Sequence, residues 1–166
     1  IDVTKDSILG RANEKYERGE LSTAQFIESL KKELDLDITD EEVLEGWNKI
    51  FVGENLGIRD NIDRLVSKYP LYIFSNTSIS HAEFWRNEYS ELLKHFQKIF
   101  TSFELGMRKP EKESFLEVCS QMDVLPEKIL FFDDTEENIV AANDLGMNAV
   151  KVDSIQDINE TIEKLC

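Results

Sequence analysis

The stretch Ile129-Leu130-Phe131-Phe132-Asp133-Asp134 decides the fold. Four large apolar residues in succession leave no polar face, so they read as a strand buried on both sides, the kind found in parallel sheets. The strand ends in two adjacent carboxylates, and open α/β sheets bind their ligands at the carboxyl ends of strands. Paired carboxylates repel each other; a hard divalent cation such as Mg²⁺ relieves the repulsion and can bridge to a phosphate. The plainer alternative is that Asp134 and Thr135 cap the helix that follows.

Outward from this strand the pattern alternates. Strands read at residues 71–74, 98–102 and 149–152, and helices at 61–68, 80–96, 111–122, 136–145 and 155–165. Strand and helix in regular order predict a parallel α/β sheet between two helical layers over residues 55–166. Residues 5–51 read as helical throughout. Ser22-x-x-Gln25 and Thr39-x-x-Glu42 are capping boxes. One opens a helix with the stripe Phe26, Ile27, Leu30 and Leu34; the other precedes Val43, Leu44, Trp47, Ile50 and Phe51. Residues 1–54 are therefore expected to form a small helical bundle whose stripes pack internally rather than on a partner helix.

Nineteen Lys and Arg against 34 Asp and Glu give a net charge of −15, which argues against nucleic acid or an anionic membrane as a partner, since both need a basic face. An anionic ligand would need a metal or a few placed cations. No apolar run is long enough to span a bilayer and the amino terminus lacks a signal-peptide pattern, so a cytoplasmic protein is expected. Cys119 and Cys166 suit neither a disulfide nor a zinc site, and His81 and His95 have no metal-ligand spacing. Phosphate-loop, dinucleotide and nucleophile-elbow motifs are absent.

Three polar stations fall at strand ends or the loops that follow. Ser75-Asn76-Thr77 ends the strand of residues 71–74; a hydroxyl and an amide there can hold phosphate oxygens, although the same residues are ordinary turn formers. Lys109 lies in the loop before Pro110 and Glu111, which read as a helix start; the alternative is a solvated lysine. Asp133 and Asp134 end the third station, with Asn138 one turn into the next helix. Together, hydroxyl and lysine for a phosphate and carboxylates for Mg²⁺ make most of a phosphoryl-transfer site.

In this order the stations resemble the haloacid dehalogenase superfamily, in the branch with a helical cap. Glu17-Arg18-Gly19-Glu20, Phe84-Trp85, Glu88-Tyr89, Leu105 to Glu111 and Phe131 to Asp134 look more closely like the bacterial α-D-glucose-1-phosphate phosphatases in that superfamily. The resemblance implies a HAD-like α/β core at 55–166 and a cap at 1–54. It implies a Mg²⁺-dependent phosphatase of small sugar phosphates working through an aspartyl-phosphate. Carried over, Ser75 and Asn76 hold the phosphoryl group, Lys109 neutralises charge, Asp134 with Asp133 binds Mg²⁺, and Asn138 steadies their loop. Apart from the resemblance, Arg18, Trp47 and Trp85 are candidate sugar contacts, although core packing or solvent exposure is the more ordinary role of each. The partner is a small phosphorylated metabolite, and the chain a monomer or homodimer.

The family's first strand ends in Asp-x-Asp, whose first aspartate is the nucleophile, and lies centrally between the strands of Ser75 and Asp133. The 166 residues hold no such segment. Truncation is the expected explanation, over a short chain that borrows a strand from a second copy. The 166 residues alone are expected not to turn over substrate. A 2-haloacid dehalogenase of the same fold, and a non-catalytic phosphate- or sugar-binding module, are the competing functions.

Overall fold

The structure, a computed structural model, describes residues 8–165. In chain order the elements are α1 (Ile8–Glu17), α2 (Thr23–Glu33), α3 (Asp40–Asn48), α4 (Ile58–Val66), β1 (Tyr72–Ser75), α5 (Ile79–Glu88), α6 (Ser90–Leu93), β2 (Lys98–Thr101), α7 (Ser102–Leu105), α8 (Lys112–Met122), β3 (Leu130–Asp133), α9 (Glu136–Asp144), β4 (Asn148–Lys151) and α10 (Ile155–Leu165). The chain divides into two compact units. The first takes residues up to Gly53 with Phe74–Leu93 and Phe100–Arg108; the second takes Glu54–Ile73, Lys94–Ile99 and the chain from Lys109 onward. No helix among the described residues is long and apolar enough to cross a membrane.

In the first unit the capping boxes form as the sequence dictates. Gln25 N donates to Ser22 Oγ while Ser22 N donates to the Gln25 side chain, and Thr39 and Glu42 repeat the exchange. Each box satisfies amide donors that a helix start leaves unpaired. The stripe of α2 buries Phe26, Ile27 and Leu30 with Tyr16 and Val43, while Leu34 and Leu44 pack against them partly buried. The helical reading of 5–51 is corrected in detail. Left-handed Gly19 and Asp35 lie between the helices, and α3 stops at Asn48, leaving Ile50 60% exposed. Lys5 lies outside the described residues.

Gly46 lies within α3, where an added Cβ would meet nothing within 4 Å. A glycine inside a helix costs backbone entropy without compensation, so Gly46→Ala should stabilise the protein by about 0.5–1 kcal/mol. Chemical denaturation reads the change, and any loss of stability contradicts it.

Tyr16 is fully buried; its hydroxyl donates to Ser80 Oγ at 2.9 Å and accepts from Ser80 N at 3.3 Å, tying α1 to the first turn of α5. His81, on the same turn, stacks on Trp47 with ring centroids 4.8 Å apart and meets Phe51 edge-on. Its Nε2–H donates to the Trp47 carbonyl at 3.1 Å. Burial lowers the His81 pKa below its ordinary 6.5, against a smaller opposing effect of the Trp47 bond. The unfolded chain therefore takes up the proton first, and stability falls as pH drops through 6.5 toward the folded value. The melting temperature should decline as pH falls through 6.5, and His81→Gln should flatten that decline.

In the second unit β3 and β4 pair in parallel, with Leu130 opposite Asn148, Phe131 opposite Ala149, Phe132 opposite Val150 and Asp133 opposite Lys151. Helix α9 covers this pair, burying Ile139 and Ala142. Phe115 of α8 meets Phe131 edge-on at 5.6 Å. Helices α4 and α10 bury Ile62 and Ile162 and join through Asn61 Nδ2 donating to Asn159 Oδ1 at 2.7 Å. Among the described residues the strands form two two-stranded sheets, β1 with β2 and β3 with β4, as expected where the central first strand is missing. The architecture remains α/β, with its strands in the predicted places.

Candidate active site

Strand β3 delivers Asp133 at its carboxyl end, and a cluster of donors closes on that carboxylate. Lys109 Nζ donates to Asp133 Oδ2 at 2.6 Å. Oδ1 accepts from Thr135 N at 2.8 Å and from Asn138 Nδ2 at 2.9 Å. The ion pair is dry: the Lys109 and Asp133 side chains are only 8% and 6% exposed. Lys109 is thus not a solvated surface lysine. Burial pushes the Asp133 pKa up, but the charge and hydrogen bond of Lys109, with the Asn138 and Thr135 bonds, outweigh it and hold the carboxyl below its ordinary value.

The local sequence explains the placement. Lys109 follows the turn of Gly106, which takes a left-handed conformation at the end of α7, and the Lys109–Pro110 peptide is cis. Helix α8 begins one residue later than predicted, at Lys112, because extended Glu111 serves as its N-cap and Pro110 stands outside it. Asn138 is 5% exposed and lies on the inner face of the first turn of α9, so its amide reaches back to the strand end as the sequence suggested.

Asp134 is exposed, and its carboxylate has a 3.4 Å contact with the Thr135 hydroxyl. A carboxylate offers about four lone-pair positions, of which Asp133 has three engaged. Asp134 is therefore the carboxylate more open to a cation, with room for one further bond on Asp133. Both are hard oxygen donors of the sort Mg²⁺ takes. Among the described residues no three His, Cys, Asp or Glu side chains converge as a metal cluster. The pair thus fits part of a Mg²⁺ shell, the type of ion that leaves several positions to water or phosphate.

Ser75 and Asn76 belong to the first unit, at and just beyond the end of β1, both half-buried. Ser75 Oγ lies 3.5 Å from the Asn76 carbonyl oxygen. The next residue, Thr77, is held on three atoms. Its N–H donates to Ser102 Oγ at 2.9 Å, its carbonyl accepts from that hydroxyl at 3.1 Å, and its own hydroxyl accepts from Trp85 Nε1 at 3.3 Å. Of the candidate sugar contacts, Trp85 is 8% exposed and engaged with Thr77, Trp47 packs in the aromatic core, and Arg18 pairs with Glu14 at 3.7 Å. Ser102 escaped the sequence reading because its partner is twenty-five positions away, a pairing that no local pattern encodes.

Comparison with known proteins shows the family. A family model described as a haloacid dehalogenase-like hydrolase matches residues 6–146. A D-ribitol-5-phosphate phosphatase of Bacteroides thetaiotaomicron is 28% identical over 149 residues, 87% of this chain and 72% of that protein. A phosphorylated carbohydrates phosphatase of Thermotoga maritima is 24% identical over 128 residues, 75% of this chain and 59% of that protein. Among solved structures, a haloacid dehalogenase family enzyme of B. thetaiotaomicron in complex with magnesium and inorganic phosphate superposes with a TM-score of 0.76 at 27% identity. The match covers 89% of this chain and 75% of that one.

Proposed function

The chain belongs to the haloacid dehalogenase-like hydrolases, and from that premise we propose that it serves the Mg²⁺-dependent hydrolysis of small sugar or polyol phosphates through an aspartyl-phosphate. The observation that carries this reading is the dry Lys109–Asp133 pair at the end of β3 with Asp134 exposed beside it. Two of the relatives are named as phosphatases of phosphorylated carbohydrates or a polyol phosphate, and a similar enzyme was solved with magnesium and phosphate, which supports the choice of phosphorus over carbon as the centre attacked.

In this reading Lys109 donates a hydrogen bond to the phosphoryl group and to Asp133 together, neutralising charge where it develops. Asp133 keeps the lysine aimed, and Asn138 and the Thr135 amide keep Asp133 in place. Ser75 and Asn76 bind phosphoryl oxygens. Asp134, with Asp133, would hold Mg²⁺, which supplies positive charge to the phosphate when bound. Residues 1–54 act as the cap that selects the substrate. None of residues 1–166 is assigned as the nucleophile.

The test is release of inorganic phosphate from D-ribitol 5-phosphate and D-glucose 1-phosphate, with and without Mg²⁺. The protein that carries these residues is expected to hydrolyse such esters only with the metal, and residues 1–166 alone are expected to be inactive. Clear Mg²⁺-dependent hydrolysis by residues 1–166 alone would sink the assignment of the nucleophile. Chloride release from a 2-haloacid without metal would replace phosphoryl transfer by dehalogenation.

A further inference from the structure

We propose that Ser102 is a positioning residue for the phosphate-holding turn, a role that rests on the reading of Ser75 and Asn76 given above. Ser102 is fully buried, the first residue of α7. Its single hydroxyl accepts from the N–H of Thr77 and donates to the carbonyl of the same residue, at 2.9 and 3.1 Å. These are the two bonds that a neighbouring strand makes to a residue in an antiparallel ladder. One side chain therefore extends the order of β1 past its last residue, where no strand partner is needed.

The consequence falls on the residues just ahead. Thr77 is 5% exposed and its side-chain oxygen is taken by Trp85, so Thr77 itself is fixed by Ser102 and Trp85 together. With β1 ending at Ser75 and Thr77 pinned, the backbone of Asn76 is held from both sides. Phosphate binding by a short polar turn requires such preorganisation, since each free torsion must otherwise be ordered by the ligand. Ser102 touches no substrate; it acts through Thr77.

The experiment measures KM and kcat for phosphate-ester hydrolysis, and the inhibition constant of inorganic phosphate, in the protein that carries these residues. Ser102→Ala is expected to raise KM and the phosphate inhibition constant about tenfold, with a smaller change in kcat. Ser80→Ala is the comparison: Ser80 is also buried, at 4% exposure, in the same unit and is bonded to Tyr16 and Ser78, not to Thr77. It should lower thermal stability while leaving KM unchanged. Equal KM shifts in the two variants would reduce Ser102 to a structural serine and overturn the proposal. Ser75→Ala separates the two readings. If it weakens phosphate binding while Ser102→Ala does not, the positioning role fails alone. If Ser75→Ala has no effect, the phosphate reading of the turn fails and the proposal with it.

Discussion

Asp133→Ala is expected to cost about 3–5 kcal/mol, because it breaks a buried ion pair by removing the carboxylate that the Lys109 ammonium meets at 2.6 Å. The lysine is 8% exposed and can recruit little water. Removal of one partner from a dry ion pair costs far more than the net worth of the pair, so the loss should shrink when both charges go together, as in Lys109→Met with Asp133→Leu. Urea denaturation of the single and double variants tests this; a single-variant loss below about 1 kcal/mol would mean that the pair is effectively solvated. The pH dependence has a definite sign. Asp133 has a folded pKa below its unfolded value, so its contribution is complete above the ordinary carboxylate range and is lost as pH falls through the lower, folded value. The variant should therefore melt with a shallower acid limb.

Gly19→Ala is the second large effect. Gly19 has φ of +72°, and a Cβ placed on it would lie 2.7 Å from the carbonyl oxygen of Phe103. Two penalties add. A left-handed alanine costs about 1–2 kcal/mol, and forcing its Cβ against the Phe103 backbone about 1–3 more. A loss of about 2–5 kcal/mol is expected. Gly57→Ala is the control: its φ is +89°, but its Cβ would meet nothing within 4 Å, so only the conformational penalty applies. If the two variants were equally destabilised in thermal melts, the close approach to Phe103 would be of no account.

These residues also show what a linear reading can and cannot reach. The strand at Ile129, the capping boxes at Ser22 and Thr39, and Asn138 one turn beyond Asp133 were legible because hydrophobic period and capping chemistry are local. Lys109 was legible as a loop residue at a strand-end station, but its union with Asp133 needs the fold. The motifs that carried the family resemblance prove to hold the chain together. Arg108 donates to Glu17 at 2.9 Å and to Glu14 at 3.2 Å, and Gly19 lets the chain pass Phe103. Burial raises the Glu17 pKa in spite of Arg108. Nothing in the spacing of residues 14, 17 and 108 announces that cluster. The helix predicted from Glu111 begins one residue later because Glu111 is its N-cap and not its first helical residue, with Pro110 outside it.

The closeness of Lys109 to Asp133 has a kinetic corollary. A lysine whose charge is already matched 2.6 Å away exerts no net pull at a distance; it acts only on contact. An approaching anion therefore meets the field of a chain with net charge −15, unrelieved by this cation. Encounter with an anionic ligand should be slowest at low ionic strength and quicken as salt screens the repulsion, the reverse of enzymes that draw their substrates in along a positive funnel.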